Sequence, residues 1–343
     1  MPYSQILKVL LKSNYGVTKD VILRHIDVNN KLITMKNKLL DALKKIKRKA
    51  LITSHDIALA SKKSVLGVSH ANVKLTIVGA QKCGTTSLFH YLSQHPDIDA
   101  PQSKEIDYFN SLGNTPATLS DYQTRFPYRF GRNKEFASID VSPSYLLDAH
   151  LVAKRIHAIN PNTKIVIALR EPVSRAISAW FMYKKLYAQN PDWFIDSPWV
   201  KNNSCKNVVR RQSGFGHNFD ADIAEEMTIL GKGGRIEYPI VEFGLYKEQI
   251  ETYTDLFGRD NVLIVSSARL KSATQDVLNQ ITSFIEIPSY DLKKSDLIPH
   301  FVGDNKYKIT GPILSTLNQY YDQQNQGLTQ ILGEHFEWDT TVK

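Results

Sequence analysis

Residues 74–92, KLTIVGAQKCGTTSLFHYL, constrain the fold more than any other stretch of this chain. KLTIVG is a continuous apolar run of strand length, the pattern of a strand buried on both faces, and a helix is predicted from Thr85 to about Gln94. A strand that delivers a glycine-containing turn into a helix start makes an anion site, because the first-turn amides have no partners and the helix dipole adds partial positive charge. Nucleotide triphosphatases use the pattern G-x-x-x-x-G-K-[ST] for this purpose. Gly79 and Gly84 keep its spacing, but Thr85 stands where the lysine belongs, and the nearby lysine is Lys82, two residues before Gly84. Gly84 permits close backbone approach, and Thr85, Thr86 and Ser87 offer hydroxyl donors.

The alternation continues beyond this loop. EFASID (135–140) reads as a second strand and is followed by a helix through YLLDAHLVAKRIHAIN. TKIVIAL (163–169) is the clearest strand, and Pro172 sits where the next helix, running to about Tyr187, begins. GLYKEQIETYTDLF and ATQDVLNQITSFI are amphipathic helices on either side of the buried strand NVLIVS (261–266). Short buried strands separated by helices imply an α/β, P-loop-like three-layer fold with a central parallel sheet flanked by helices. Ligands then bind at the carboxyl ends of the strands.

With 343 residues and 42% apolar content, the chain is long enough for one large core and a smaller appendage. The cysteines Cys83 and Cys205 are far apart, so a structural disulfide is not expected, and no spacing predicts a metal site. Residues 1–74 hold fifteen Lys/Arg against four Asp/Glu, while the remainder holds 28 against 30. The basic character therefore belongs to an N-terminal segment, 1–70, of two or three short helices ahead of the main domain, 71–343. KNKLLDALKKIKRKAL places Leu39, Leu43, Ile46 and Ala50 on one face and lysines on the other. Such a helix docks on the main domain or lies at an anionic membrane surface as a peripheral contact; no nucleic-acid partner is expected. Residues 188–238, rich in Asn, Gly and Ser, read as an insertion. The aromatic residues from Trp180 to Trp199 read mostly as core, with one or two available as a sugar platform.

At this point QKCGTTSL resembles the 5′-phosphosulfate loop of the sulfotransferase superfamily, which carries a lysine or arginine two residues before G-T-T. The resemblance implies a co-substrate, 3′-phosphoadenosine-5′-phosphosulfate (PAPS), and no metal, with Lys82, Cys83, Gly84, Thr85, Thr86 and Ser87 around its 5′ end. A lysine beside the bridging oxygen stabilises charge where it develops as the sulfonate leaves. The family's 3′-phosphate motif is an arginine at a strand end with a serine eight residues later; KIVIALREPVSRAISAW matches it with Arg170 and Ser178. Arginine suits the task through its bidentate fork. GDNKYKITGP occupies the region of the family's closing loop, which makes Lys306 and Lys308 the implied further contacts.

PQSKEIDYFN resembles the EIxFF segment of the glycosaminoglycan branch, whose glutamate is the general base, and on that match Glu105 inherits the role. A surface ion pair with Lys104 is the alternative use of that carboxylate. DVSPSYL resembles EKSPxYF of the same branch, so Lys104, Asp107, Ser142 and Tyr145 fall on the acceptor side. Asp107 replaces a histidine of the 3-O-sulfating members, and Val141 replaces a lysine. The implied acceptor is a hydroxyl, or an amine, of a carbohydrate or glycolipid. Golgi members of the family carry a membrane anchor; no apolar run of that length occurs here, and the sequence predicts a cytoplasmic protein. Two rivals remain. A P-loop kinase needs a lysine after Gly84 and an acidic magnesium ligand, for which Asp140 is the available residue. A non-catalytic nucleotide- or membrane-binding module would rely on the basic N-terminal helices.

Overall fold

The chain divides into two units, Met1–Val68 and Ser69–Lys343. The computed structural model describes residues 69–70, 73–129, 136–191, 208–209, 211, 216, 218–293, 296, 309 and 311–338, all in the second unit. The helices expected in the basic segment before residue 69 lie outside the described residues, as do Cys205, Trp193, Phe194 and Trp199.

Strand β1 (Ser69–His70) leads into β2 (Val73–Gly79), the predicted loop strand, which passes through the turn at residues 80–84 into α1 (Thr85–Leu92). A two-residue strand that the sequence pattern does not announce, β3 (Ile98–Asp99), follows, and then the short helices α2 (Tyr108–Ser111) and α3 (Leu119–Gln123). After β4 (Tyr128–Arg129), which pairs antiparallel with β1, come β5 (Ala137–Val141), a 3₁₀ turn (Pro143–Tyr145) and α4 (Ala149–Ile159). β6 (Lys164–Leu169) feeds α5 (Pro172–Gln189). Pro172 opens α5 as expected, and Glu171 accepts hydrogen bonds from the amides of Val173 (2.8 Å) and Ser174 (2.6 Å).

The main sheet has the order β3-β5-β2-β6 and then β9 (Val262–Ser266), every neighbouring pair parallel. β5 is buried along its whole length, and β2 and β6 are buried apart from Lys74 and Lys164, so both faces are covered by other elements. The fold is the expected α/β architecture, a central parallel sheet flanked by helices. α4 buries Ala149, Val152, Ala153 and Ile156, one stripe at helical spacing. This stripe packs against α7 (Tyr246–Phe257), which Gly258 terminates in a left-handed conformation (φ 81°). α8 (Ser267–Ser272) and α9 (Thr274–Phe284) complete the layer after β9, and α9 packs near α1.

The range 188–238, read from composition as an insertion, carries secondary structure of its own. It contains β7 (Val208–Val209), α6 (Phe219–Gly231) and β8 (Arg235–Ile236). Asn218 caps α6 by accepting from Asp220 N (2.9 Å) and Ala221 N (3.3 Å). Phe219 and Ile223 of α6 join Trp180 and Tyr183 of α5 and Leu317 and Tyr321 of α10 (Pro312–Gln324) in a second core; α11 (Leu328–Leu332) follows. The physical reason is that α6 gives α5 an apolar face to bury that the sheet does not cover. An Asn followed by two acids, Asp220 and Asp222, in the first turn was the available signal for this helix.

Gly79 brings the sheet's centre and the turn after β5 together. A Cβ there would stand 2.5 Å from Leu146 Cβ and 3.2 Å from the carbonyl oxygen of Pro143. Gly79→Ala is therefore expected to cost about 1–3 kcal/mol of stability through overpacking. Urea unfolding should show a lower midpoint with an unchanged slope; an unchanged midpoint would mean that the 143–146 turn yields freely.

Candidate functional site

The loop between β2 and α1 is held from below. Ala80 N donates to Ala168 O of β6 (2.7 Å), and Cys83 N closes a turn onto Ala80 O (3.2 Å). Lys82 (φ 69°) and Gly84 (φ 86°) are both left-handed, and alternation of hand along a loop turns successive amides toward one concavity. Gly84 supplies no side-chain cap to α1, and the first turn of α1 carries no acid. That end of the helix is thus left to receive an external anion. Burial, then the charges of Arg170 and Lys104, push the Lys82 ammonium below the ordinary lysine range, and Glu105 opposes them. Lys82, Arg170, Lys104 and Glu105 therefore share one electrostatic environment at the carboxyl end of β2.

Two loop residues stand differently from the sequence expectation. Cys83, predicted to line the 5′ end, is wholly buried: its amide is used by Ala80 O, and its sulfur lies 3.8 Å from the Tyr246 hydroxyl and 3.7 Å from Gln81 O. Burial pushes this thiol up, so it packs the loop rather than facing a ligand. Ser87 is also buried, and its hydroxyl bonds the Tyr91 phenol. Thr85 is buried and Thr86 half-buried. Two residues that the sequence pattern did not single out hold the loop laterally. Gln81 Nε2 donates to Tyr183 OH of α5 (2.9 Å). Tyr246, whose hydroxyl donates to Arg170 O (2.8 Å), joins Cys83 to the end of β6. Read from the sequence, Tyr246 is only one apolar position of an amphipathic helix; its hydroxyl gives no periodic signal.

Arg170 follows β6 directly and is half-buried; Ser178, also half-buried, lies within α5. Because Glu171 occupies the N-terminal amides of α5, that helix end is closed to anions, and side chains are left to do what amides do at α1. Lys306 and Lys308 lie outside the described residues.

On the other side of β2, segment 104–110 runs over the turn after β5. Glu105 N donates to Val141 O (3.0 Å), and the exposed Glu105 carboxylate is ion-paired with Lys104 Nζ. Lys104 therefore meets the carboxylate beside it, the use the sequence left open for Glu105. Asp107 N donates to Ser142 Oγ (3.2 Å), and Ser144 Oγ donates to Asp107 Oδ1 (2.5 Å). Burial raises the Asp107 carboxyl. Ser142 and Tyr145, expected to touch the acceptor, are wholly buried instead. Their hydroxyls donate to Asp140, Ser142 Oγ to Oδ1 (2.7 Å) and Tyr145 OH to Oδ2 (3.1 Å), with Tyr122 OH a third donor (2.8 Å). They lie beneath segment 104–110 and support it. Burial lifts Asp140 to about 6 against those hydrogen bonds. With three hydroxyls on its two oxygens, Asp140 is not the free magnesium ligand that a kinase reading requires. Among the described residues no cluster of His, Cys, Asp and Glu is arranged to hold a metal ion.

A family model described as Sulfotransferase domain matches residues 73–308. Among curated proteins, the membrane-associated sulfotransferase kil1 of Dictyostelium discoideum is 21% identical over 318 residues, covering 76% of this chain and 65% of that protein. Heparan sulfate glucosamine 3-O-sulfotransferase 3B1 of Mus musculus is 24% identical over 284 residues, covering 77% and 64%. The chain thus spans just under two thirds of the length of these relatives. A crystal structure of a sulfotransferase from Alicyclobacillus acidocaldarius superposes with a TM-score of 0.54 at 24% identity, over 78% of this chain and 97% of that one. The membrane association in the name of the Dictyostelium relative overturns the expectation of a cytoplasmic protein. Among the described residues no helix is long and apolar enough to cross a membrane.

The raised Asp140 carboxyl has a thermodynamic consequence with a definite sign. A carboxyl whose folded pKa is about 6, above its ordinary 3.8, contributes stability fully below 3.8 and loses it as pH rises through 6. Relative to Asp140→Asn, the native protein is expected to lose on the order of 3 kcal/mol between those limits. Denaturant unfolding of both proteins across this pH range measures the difference, and a pH-independent difference contradicts the assignment.

Proposed function

The chain belongs to the sulfotransferase domain family, and from that premise we propose that it moves a sulfonate group from PAPS to a hydroxyl, or an amine, of a carbohydrate or glycolipid. The observation that carries this reading is an uncapped α1 N-terminus and Lys82 behind β2, with Arg170 behind the neighbouring strand β6 and Glu105 both within electrostatic reach of Lys82. When bound, PAPS supplies an activated sulfonate whose leaving group is a phosphate. The residues present fit it. The first-turn amides of α1 and Lys82 would hold the 5′ end, with Lys82 aimed at the oxygen on which charge develops. Arg170 and Ser178 would hold the 3′-phosphate, with Lys306 and Lys308 as further contacts. Glu105 would take the acceptor's proton once an incoming acceptor draws it from Lys104. A protonated Lys82 would be favoured by the anion it binds, which offsets the depression that burial and the charges of Arg170 and Lys104 impose.

The acceptor class rests on the carbohydrate named in the heparan sulfate relatives. The balance of 28 basic and 30 acidic residues after residue 74 favours an acceptor less acidic than heparan sulfate itself, and Val141 removes a cation from the acceptor side. The basic segment before it suits an anionic lipid surface, where a lipid-linked acceptor would be met. Two features weigh against a kinase: Thr85 follows Gly84, and Asp140 is engaged by three hydroxyls.

Calorimetric titration should show 3′,5′-ADP binding more tightly than ATP, and the reverse order would remove the nucleotide assignment. A labelled-sulfate screen over sugars and glycolipids then identifies the acceptor. With that acceptor, Lys82→Ala should lower turnover by about 10²–10³. Glu105→Ala should lower it by about 10²–10⁴. Arg170→Ala should weaken 3′,5′-ADP binding by roughly ten- to a hundredfold. Unchanged transfer in the Lys82 variant would contradict the mechanism.

A further inference from the structure

We propose that Asp140 is the positioning residue of the acceptor side: an acceptor-only carboxylate that orients the Ser142 and Tyr145 hydroxyls so that their lone pairs receive the amides of residues 107 and 109 and hold Glu105 in place. The inference rests on reading Glu105 as the base. It starts from the proton count of a hydroxyl, which has one hydrogen to give and lone pairs to receive. Ser142 Oγ gives its hydrogen to Asp140 Oδ1 (2.7 Å) and receives Asp107 N (3.2 Å). Tyr145 OH gives its hydrogen to Asp140 Oδ2 (3.1 Å) and receives Phe109 N (3.4 Å). An ionised Asp140 can only accept, so both hydroxyls are forced to turn their lone pairs toward segment 105–110. A protonated Asp140 has a hydrogen of its own to give, and when Ser142 Oγ or Tyr145 OH receives it, that hydroxyl's own hydrogen loses its carboxylate acceptor and its direction is no longer fixed.

Segment 105–110 needs such a hold. Glu105 (φ 66°) and Asp107 (φ 48°) are both non-glycine residues in the left-handed region, two positions apart. Each costs about 1–3 kcal/mol and persists only where the surroundings over-determine it. Three further ties of the segment also land on 141–145: Glu105 N on Val141 O, Ser144 Oγ on Asp107, and Asn110 Nδ2 on Ser144 Oγ (2.8 Å), while Phe109 O receives Arg155 of α4 and the Tyr108 hydroxyl meets Thr118. That turn is in turn fastened to β2, by Ser142 N on Ile77 O (3.1 Å) and Leu146 N on Val78 O (2.7 Å). Asp140 therefore controls how the strand that carries the Lys82 loop and the segment that carries Glu105 are registered against each other. The groups that face it are Tyr122 of α3, Ser142 and Tyr145 of the turn, Asp107 ahead of α2, Tyr253 of α7 and Thr76 of β2. Burial, with the Asp107 charge adding and the three hydroxyls opposing, sets its titration at about 6. The Tyr122 ring packs on Tyr108 (5.2 Å) and Phe109 (4.7 Å), and its hydroxyl donates to Asp140; Tyr122→Phe keeps the ring and removes only the hydroxyl, so it separates titration from support.

The test is hydrogen exchange of the full chain over a pH series, corrected for intrinsic rates, together with steady-state kinetics on the acceptor found above. In the native protein, protection of amides in 104–111 is expected to fall as pH drops through about 6. In Asp140→Asn it should be low at every pH, and kcat should fall by on the order of a hundredfold from misplacement of the base, with the Kd for 3′,5′-ADP unchanged. Tyr122→Phe, which removes one hydrogen bond that favours the ionised form, should move the loss of protection to higher pH. Native-like protection and kcat in Asp140→Asn overturn the proposal, and so does an unmoved transition in Tyr122→Phe, which decides the matter alone if Asp140→Asn does not fold. Glu105→Ala separates the two readings: retained turnover removes the base assignment, while the exchange data still decide the role of Asp140.

Discussion

β2 is hydrogen-bonded on both edges, to β5 through Ile77 opposite Val141 and to β6 through Gly79 opposite Ile167. Because all three strands run parallel, their carboxyl ends emerge side by side, and whatever follows each strand is delivered to the same rim. Behind β2 comes the Lys82 loop, behind β5 the turn that carries segment 104–110, and behind β6 Arg170. Nothing in the local sequence of any one of these pieces brings them within reach of the others; the ladder does. Close approach at the rim then depends on the absence of a side chain at Gly79, since the 143–146 turn occupies the space that a Cβ would need.

The rim is positive by construction, and its two helix ends are treated differently. α1 begins with no cap and no acid, whereas α5 is closed by the Glu171 carboxylate on two of its amides. An anion therefore finds backbone donors at one end of the site and side chains at the other. Burial, then the charges of Arg170 and Lys104, depress the Lys82 ammonium, a burden that a bound anion would relieve, and Glu105 is the exposed carboxylate that opposes them. The arrangement spends folding stability on cations held near one another, the usual price of a preformed anion site.

How much of this was legible in the sequence follows from which signals are periodic. The strands KLTIVG, TKIVIAL and NVLIVS carry runs of apolar residues long enough to be read directly, and the helices between them carry stripes at helical spacing. Their boundaries moved by a few residues, the helix after the loop ending at Leu92 rather than near Gln94. β3 is two residues long and has no period to detect. α6 went unread because a composition rich in Asn, Gly and Ser around it masked a cap and an acidic first turn. The places of Lys82 and Arg170 could be read because each follows a readable strand, whereas Glu105 was singled out only by the resemblance of its segment. The direction of a side chain in a loop has no such signature: Ser142 and Tyr145 sit in a stretch that reads as acceptor-facing, yet they point down into Asp140. Tyr246 and Gln81 were missed for the same reason, since what matters is a hydroxyl or an amide reaching across more than a hundred and sixty or a hundred residues of chain.

The second core bears on the site through one residue, Ile240, and the two peptide groups that meet there. Ile240 N donates to both oxygens of the buried Glu226 of α6, and Ile240 O receives Arg175 Nη2 from the first turns of α5. Arg175 is wholly buried, lies 5.9 Å from the Phe243 ring and, among the described residues, is joined to no carboxylate directly. Its guanidinium is met by the Ile240 carbonyl, while the amide of the same residue, in the preceding peptide group, rests on a carboxylate that Arg211 also holds (3.1 Å). Each of these charge-assisted hydrogen bonds is strengthened by the low dielectric around it. This fixes α5 in position along with its first turns, and Arg170 and Ser178 are carried on either side of Arg175. The segment that composition marks as an insertion is thus the support of the helix that follows Arg170 and carries Ser178.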